Sequence, residues 1–217
     1  MGIGLGLLNL FPTKLGGMPN DGYHIFLELP GNKEAKKYLW CLMEINGLLT
    51  KEESTKAIPE EIRNIIFSVT ADTLSDSIGT NLLLYKVTFL QEEGREKEAE
   101  EICQKIVNSP HSLSIFKNEA RCELLYYEIM GECREEKIKE LYNKKLQKYI
   151  KATALYPARK RLMYSYYLIY KDDMERAKKE YQLLLKVAKT HPVKAECLME
   201  LREAERIKAC YEEKSFL

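Results

Sequence analysis

The chain has no long hydrophobic run. Its most apolar stretch, Met1 to Phe11, is eleven residues, about 16 Å as a helix at ~1.5 Å per residue. A membrane span needs about 20 residues, so this stretch reads as half of a membrane helix or as a short buried one. No basic residue precedes it and no small-residue cleavage site follows it, which excludes a secretory leader. The chain also lacks a charge surplus. Lys+Arg is 34 and Asp+Glu 33, for a net charge of +1. With no basic excess to neutralise phosphates, nucleic acid is not an expected partner. The six cysteines include no C-x-x-C pair. They read as reduced, mostly buried thiols rather than a cysteine-built zinc site. No phosphate loop, nucleophile triad or cofactor fingerprint occurs.

What is present is enough for one good core or two small ones. Hydrophobic residues make up 45% and charged residues 31% of 217, which argues against disorder. The composition shifts at Pro30-Gly31-Asn32. Only Lys14, Asp21 and Glu28 carry charge before it. We place a boundary there.

Beyond the boundary the spacing predicts helices. Tyr38, Leu39, Leu42, Ile45 and Leu49 recur at steps of three and four, giving an amphipathic helix from Lys33 to about Leu49 that frays at Gly47. Pro59 suits the first turn of a second helix, ending near Ser68. Then follow Asn81 to Glu92, Glu96 to Asn108, Leu113 to Met130, Glu135 to about Lys151, Pro157 to Tyr170, Met174 to Thr190 and Val193 to Cys210. Gly94, Pro110, Gly131, Asp172-Asp173 and Pro192 separate them. Short turns between helices of this length predict stacked antiparallel hairpins.

The hairpins share a period. Ala99 aligns with Ala177, 78 residues later, and each has apolar residues four and seven positions on: Cys103 and Ile106, Tyr181 and Leu184. This arrangement resembles the second half of a tetratricopeptide repeat. The fold class expected is all-α: a tetratricopeptide-like solenoid behind a short apolar N-terminal segment. A generic helical bundle is the alternative.

The N-terminal segment carries a motif. Asn9-Leu10-Phe11-Pro12, followed by Asn20-Asp21-Gly22, resembles the N-x-x-P … D-G element of the site-2 protease family of intramembrane zinc metalloproteases. In that family the aspartate is a zinc ligand, and two histidines of an H-E-x-x-H helix supply the others. The resemblance implies that Asp21 is a metal ligand and that Asn9, Pro12, Asn20 and Gly22 shape the loop around it. The chemistry fits. A carboxylate at membrane depth is costly unless it is paired or holds a metal. Pro12 and Gly16-Gly17 break the helix so that backbone can line a wet pocket.

The spacing differs from the commoner form of the motif, with eight residues between Pro12 and Asp21 instead of about four. H-E-x-x-H is absent, since neither His24, His111 nor His191 is followed by Glu. Two ligands and the general base are therefore missing. The resemblance implies the C-terminal region of a larger zinc protease, inactive alone, with its helical part in the cytoplasm. Zinc would belong only to the full-length parent.

Each feature also has a simpler account. Pro-Asn-Asp-Gly is a strong turn signal. His24 and Glu28 are spaced for a helix contact. Tyr156, Tyr164, Tyr167 and Tyr170 suit a groove that binds a protein or peptide partner, or a hairpin core with its hydroxyls at the edge. Lys144-Lys145 and Arg159-Lys160-Arg161 read as a solvated face.

Two functions stay open. One is the protease region: residues 1–30 a membrane-helix remnant, 31–78 connecting helices, 79–217 the repeat domain. It would be membrane-associated through its first residues. The other is a soluble cytoplasmic helical-repeat adaptor without catalysis.

Overall fold

The computed structural model describes residues 11–15, 18–51, 55–70 and 77–215. These residues are all-α apart from one tiny ladder, in which Lys14–Leu15 pairs antiparallel with Met18–Pro19. After a helical turn at Asp21–Tyr23 that runs into a π turn at His24–Glu28, ten longer helices are described: α1 Lys33–Lys51, α2 Glu60–Ser68, α3 Ser77–Glu92, α4 Glu96–Asn108, α5 Ser114–Met130, α6 Glu135–Leu141, α7 Lys144–Ala152, α8 Pro157–Ser165, α9 Met174–Thr190 and α10 Lys194–Ser215. A π turn, Tyr166–Tyr170, extends α8.

The boundaries show which local signals govern. Gly94 ends the α3 region with a positive φ of 72°, a conformation glycine adopts without strain. Asp172 also takes a positive φ, of 50°, and Asp173 caps α9 by accepting from the Arg176 amide at 3.0 Å. Two expectations need correction. Gly47 does not fray α1, which runs on to Lys51 because Ile45 and Leu49 are buried on either side of it. The helix expected from Glu135 to Lys151 is two helices. Asn143 breaks it by accepting from the amides of Lys145 and Leu146, starting α7 afresh.

Each helix packs on its successor or near neighbour. The closest associations are α4 with α5, α8 with α9, and α3 with α4. The apolar side chains form two buried clusters. The first joins α1 to α4 with Phe116 and Ala120 of α5 and Ala195 of α10. The second joins Leu125, Tyr126 and Ile129 of α5 to α6 through α10. Ala99 and Ala177 are both fully enclosed, one in each cluster. The α5 helix therefore belongs to both cores. The α10 helix also bridges them, touching α8, α9 and, far back in the chain, α1.

Cys41, Cys103, Cys122 and Cys197 are buried, and all six cysteines are free thiols. Burial pushes the Cys41 thiol up to about 11, so it stays protonated and unreactive near neutrality.

Candidate functional site

The N-terminal motif is a capped turn. The Asn20 side chain accepts from the Tyr23 amide at 2.9 Å and from the Thr13 amide at 3.1 Å, and donates to the Phe11 carbonyl at 2.7 Å. Its own amide donates to the Thr13 carbonyl at 3.0 Å. Lys14–Leu15 pairs with Met18–Pro19, and the Asn20 bonds bring the chain back to Phe11 and Thr13. Asp21 opens the helical turn that follows, with its side chain exposed, and Gly22 is buried. Asn9 lies outside the described residues. His24 lies against Glu28, the helix contact its spacing suggested. Among the described residues, no three His, Cys, Asp or Glu side chains gather as a metal site, and no helix is long and apolar enough to cross a membrane.

The tyrosines separate. Tyr164 is buried, with its ring 5.4 Å from that of Tyr181. Tyr167 and Tyr170 are half-buried and pack around Tyr166, at centroid distances of 5.4 and 5.3 Å. Lys171 lies 4.2 Å over the Tyr170 ring. Tyr156 is 51% exposed and stands apart from these ring contacts.

The strongest constellation is one that sequence reasoning assigned to the surface. Lys144 and Lys145 are exposed as expected. Arg159 and Arg161 are not: they are 1% and 3% exposed. A buried guanidinium must be paired, and two acids on α5 and one on α10 do this. Arg159 pairs with Glu119, which also accepts from the Tyr149 hydroxyl. Arg161 donates through Nη2 to both oxygens of Glu123, at 3.0 and 2.9 Å, and through Nε to Glu200. Its guanidinium carbon lies 3.9 Å from the Tyr126 ring centre. Gln91 adds a bond to Glu123 at 2.9 Å, and Tyr126 donates to Glu203 at 2.7 Å. The available signal was the spacing of the acids. Glu119 and Glu123, like Glu196 and Glu200, stand four apart and so share one helix face.

Two glutamates share Arg161, and the charge is divided unevenly. Burial opposes the charge on Glu123, but Arg161 outweighs it and holds that carboxyl below the usual range. Burial pushes Glu200 up to about 7, against the pull of Arg161 and with the repulsion of Glu123. The folded state therefore takes up a proton on Glu200 that the unfolded chain releases near 4.5. Its contribution to stability is complete below that value and is lost as the pH rises to about 7. Glu123 works in the opposite sense. Denaturant midpoints at the two ends of this window isolate the Glu200 part: Glu200→Gln is expected to remove a fall in stability that the parent chain shows on going to the alkaline end.

These residues border an open cleft of about 270 Å³ lined from α1, α3, α5, α8 and α10. Glu119, Glu123, Glu196 and Glu200 line it, with Arg161 as the single basic residue of the lining. Leu49, Leu84, Val87 and Met199 give it an apolar wall. Such a mixed, concave surface suits a small polar ligand with an apolar part.

No family model, no curated protein and no solved structure matches the chain.

Proposed function

We propose that this chain is the C-terminal region of a site-2-like membrane metalloprotease. The observation that supports the reading is the pairing of Lys14–Leu15 with Met18–Pro19 between Pro12 and Asp21. Beside that pairing, Asn20 ties Phe11 and Thr13 directly to the Asp21 turn. Phe11 of the first half of the N-x-x-P … N-D-G element is thereby bonded to Asn20 of the second despite the wider spacing.

In this reading Asp21 supplies the third zinc ligand. A catalytic zinc takes three protein ligands, and Asp21 is a single oxygen donor. The metal thus requires the H-E-x-x-H helix of a full-length parent, and the chain alone is inactive. The N-terminal segment associates with the membrane. The helical region lies in the cytoplasm as a tetratricopeptide-like array that takes a protein or peptide partner or substrate. The enclosure of Ala99 and Ala177 at corresponding helix positions agrees with such a repeat.

One observation favours a second reading, a cytoplasmic helical-repeat adaptor. Neither hydrophobic cluster takes a residue before Tyr38, so among the described residues the cores are built without the first 30.

The native mass separates the two. An antibody against residues 80–217 is applied to membrane and soluble fractions of the source cells. The protease reading expects a membrane band well above 25.3 kDa. A soluble band at 25.3 kDa would overturn it and leave the adaptor.

A further inference from the structure

We propose that the face built by α1, α3, α5 and α8 is a docking surface for an amphipathic helix of a partner protein, and that α10 covers it as an intramolecular stand-in for that helix. The proposal rests on reading the helical region as a partner-binding module, and on nothing in the N-terminal motif.

Three observations carry it. The first is the reach of α10. It packs on α8, α9 and α1, and its side chains bond to the helices between them. Arg202 donates to Glu92 of α3 at 3.0 Å, and Arg206 pairs with Glu96 of α4. Glu203 accepts from the Tyr126 hydroxyl of α5 at 2.7 Å, and Glu200 pairs with Arg161 of α8. One helix laid across several others is the geometry of helix-in-groove recognition.

The second is what holds it there. The buried apolar side chains of α10 are Ala195, Cys197, Ala204 and Ile207, three of them small. By contrast, α5 buries Phe116, Leu125, Tyr126 and Ile129. Burial stabilises in proportion to apolar area, so α10 depends more on its polar contacts. Two of these lie at the rim, where the Arg202 and Arg206 side chains are 57% and 42% exposed. Exposed pairs contribute little and are screened by salt. The α10 helix is therefore the one expected to open first, about the short connection at residues 191–193.

The third is fit. The open cleft of about 270 Å³ is lined by Leu49, Leu84 and Val87 of the face and by Ala195 and Met199 of α10. Protein interiors are close-packed, so α10 fills its seat only in part. The charges on the face define the partner. Glu92 and Glu96 call for cations, and Arg161 calls for an acid. A competing helix carries a glutamate with basic residues two and six positions on, as Glu200, Arg202 and Arg206 stand in α10. Small or aliphatic residues stand four and seven positions on, as Ala204 and Ile207 do.

Two measurements test this. Hydrogen exchange of the full-length chain is followed by mass spectrometry at low salt and at about 0.5 M salt, which screens exposed charges. The α10 amides are expected to exchange at least about tenfold faster than those of α5, and faster still at high salt. A labelled peptide of residues 194–215 is then titrated, by fluorescence anisotropy, into the parent chain and into the full-length R202E/R206E variant. In that variant Glu92 and Glu96 repel the chain's own α10. The peptide is expected to bind the variant at least about tenfold more tightly than the parent, where the tethered helix competes at high effective concentration. The same peptide carrying R202E/R206E is expected to bind neither. Exchange of α10 in step with α5 overturns the proposal. So does absence of binding to the variant, or equal binding of the two peptides. A variant without a cooperative unfolding transition overturns it too, since α10 then belongs to the core. Dimerisation of the parent chain gives the face to a second copy and overturns the partner. Failure here leaves the protease reading untouched, because the native mass tests that separately.

Discussion

Replacing Arg161 by methionine is expected to lower the free energy of unfolding by about 3–5 kcal/mol. The guanidinium compensates two carboxylates at once, Glu123 and Glu200, which are 15% and 4% exposed as side chains. Methionine fills much of the same volume and removes the charge. Glu123 and Glu200 then lose the guanidinium they share, while Glu119 keeps Arg159. The cost is the desolvation of those carboxylates rather than the worth of the pairs themselves. The loss is therefore expected to be greatest at alkaline pH and to shrink as the acids take up protons. Denaturant midpoints of R161M measured across pH check both the size and the trend. A loss below about 1 kcal/mol, the scale of a surface pair, would show that the cluster is solvated. Glu200→Gln is expected to cost much less, because Arg161 keeps Glu123 and the lost charge was the poorly compensated one.

Leu125→Ala is expected to cost about 2–5 kcal/mol. Leu125 is fully buried, in the second apolar cluster, on the helix that also feeds the first through Phe116 and Ala120. Truncation removes three buried carbons and leaves a void walled by α5 and the helices packed on it. Close packing limits how far those walls can collapse. A shared helix also predicts that both cores weaken together, so circular dichroism and tyrosine fluorescence should report one shifted transition. The control is Leu155→Ala. Leu155 is 82% exposed, and its loss is expected to stay within about 0.5 kcal/mol. Comparable effects at the two positions would contradict the burial of Leu125.

Much of the helical organisation was legible because its causes are local. Glu96–Asn108 and Met174–Thr190 were expected with the same bounds the structure gives them. Both carry a strong apolar stripe, and a turn residue stands at each end. The Asn143 break was missed because the apolar spacing continues across it, from Ile138 to Leu146. A single side-chain amide restarted the helix there. Gly47 was overweighted for the converse reason. Its intrinsic cost in a helix, about 1 kcal/mol, is smaller than the burial of Ile45 and Leu49 beside it.

The candidate site was hidden for a different reason. Arg159-Lys160-Arg161 has the composition of a solvated stretch, and nothing within the stretch says otherwise. Its burial depends on Glu119 and Glu123, about 40 positions earlier, and on Glu200, about 40 later. Charge pairing across such separations has no periodicity to read.

The sequence by itself determined the all-α class, most helix bounds and the free, largely buried thiols. These follow from apolar period, capping chemistry and cysteine spacing, which act within a few residues. Only the tertiary structure decided that α10 returns to α1, that α5 serves two cores, and that two arginines lie inside among glutamates beside a cleft. Those outcomes come from burial and charge compensation between segments far apart in the chain, where the free energy depends on which surfaces meet and not on any one segment's pattern.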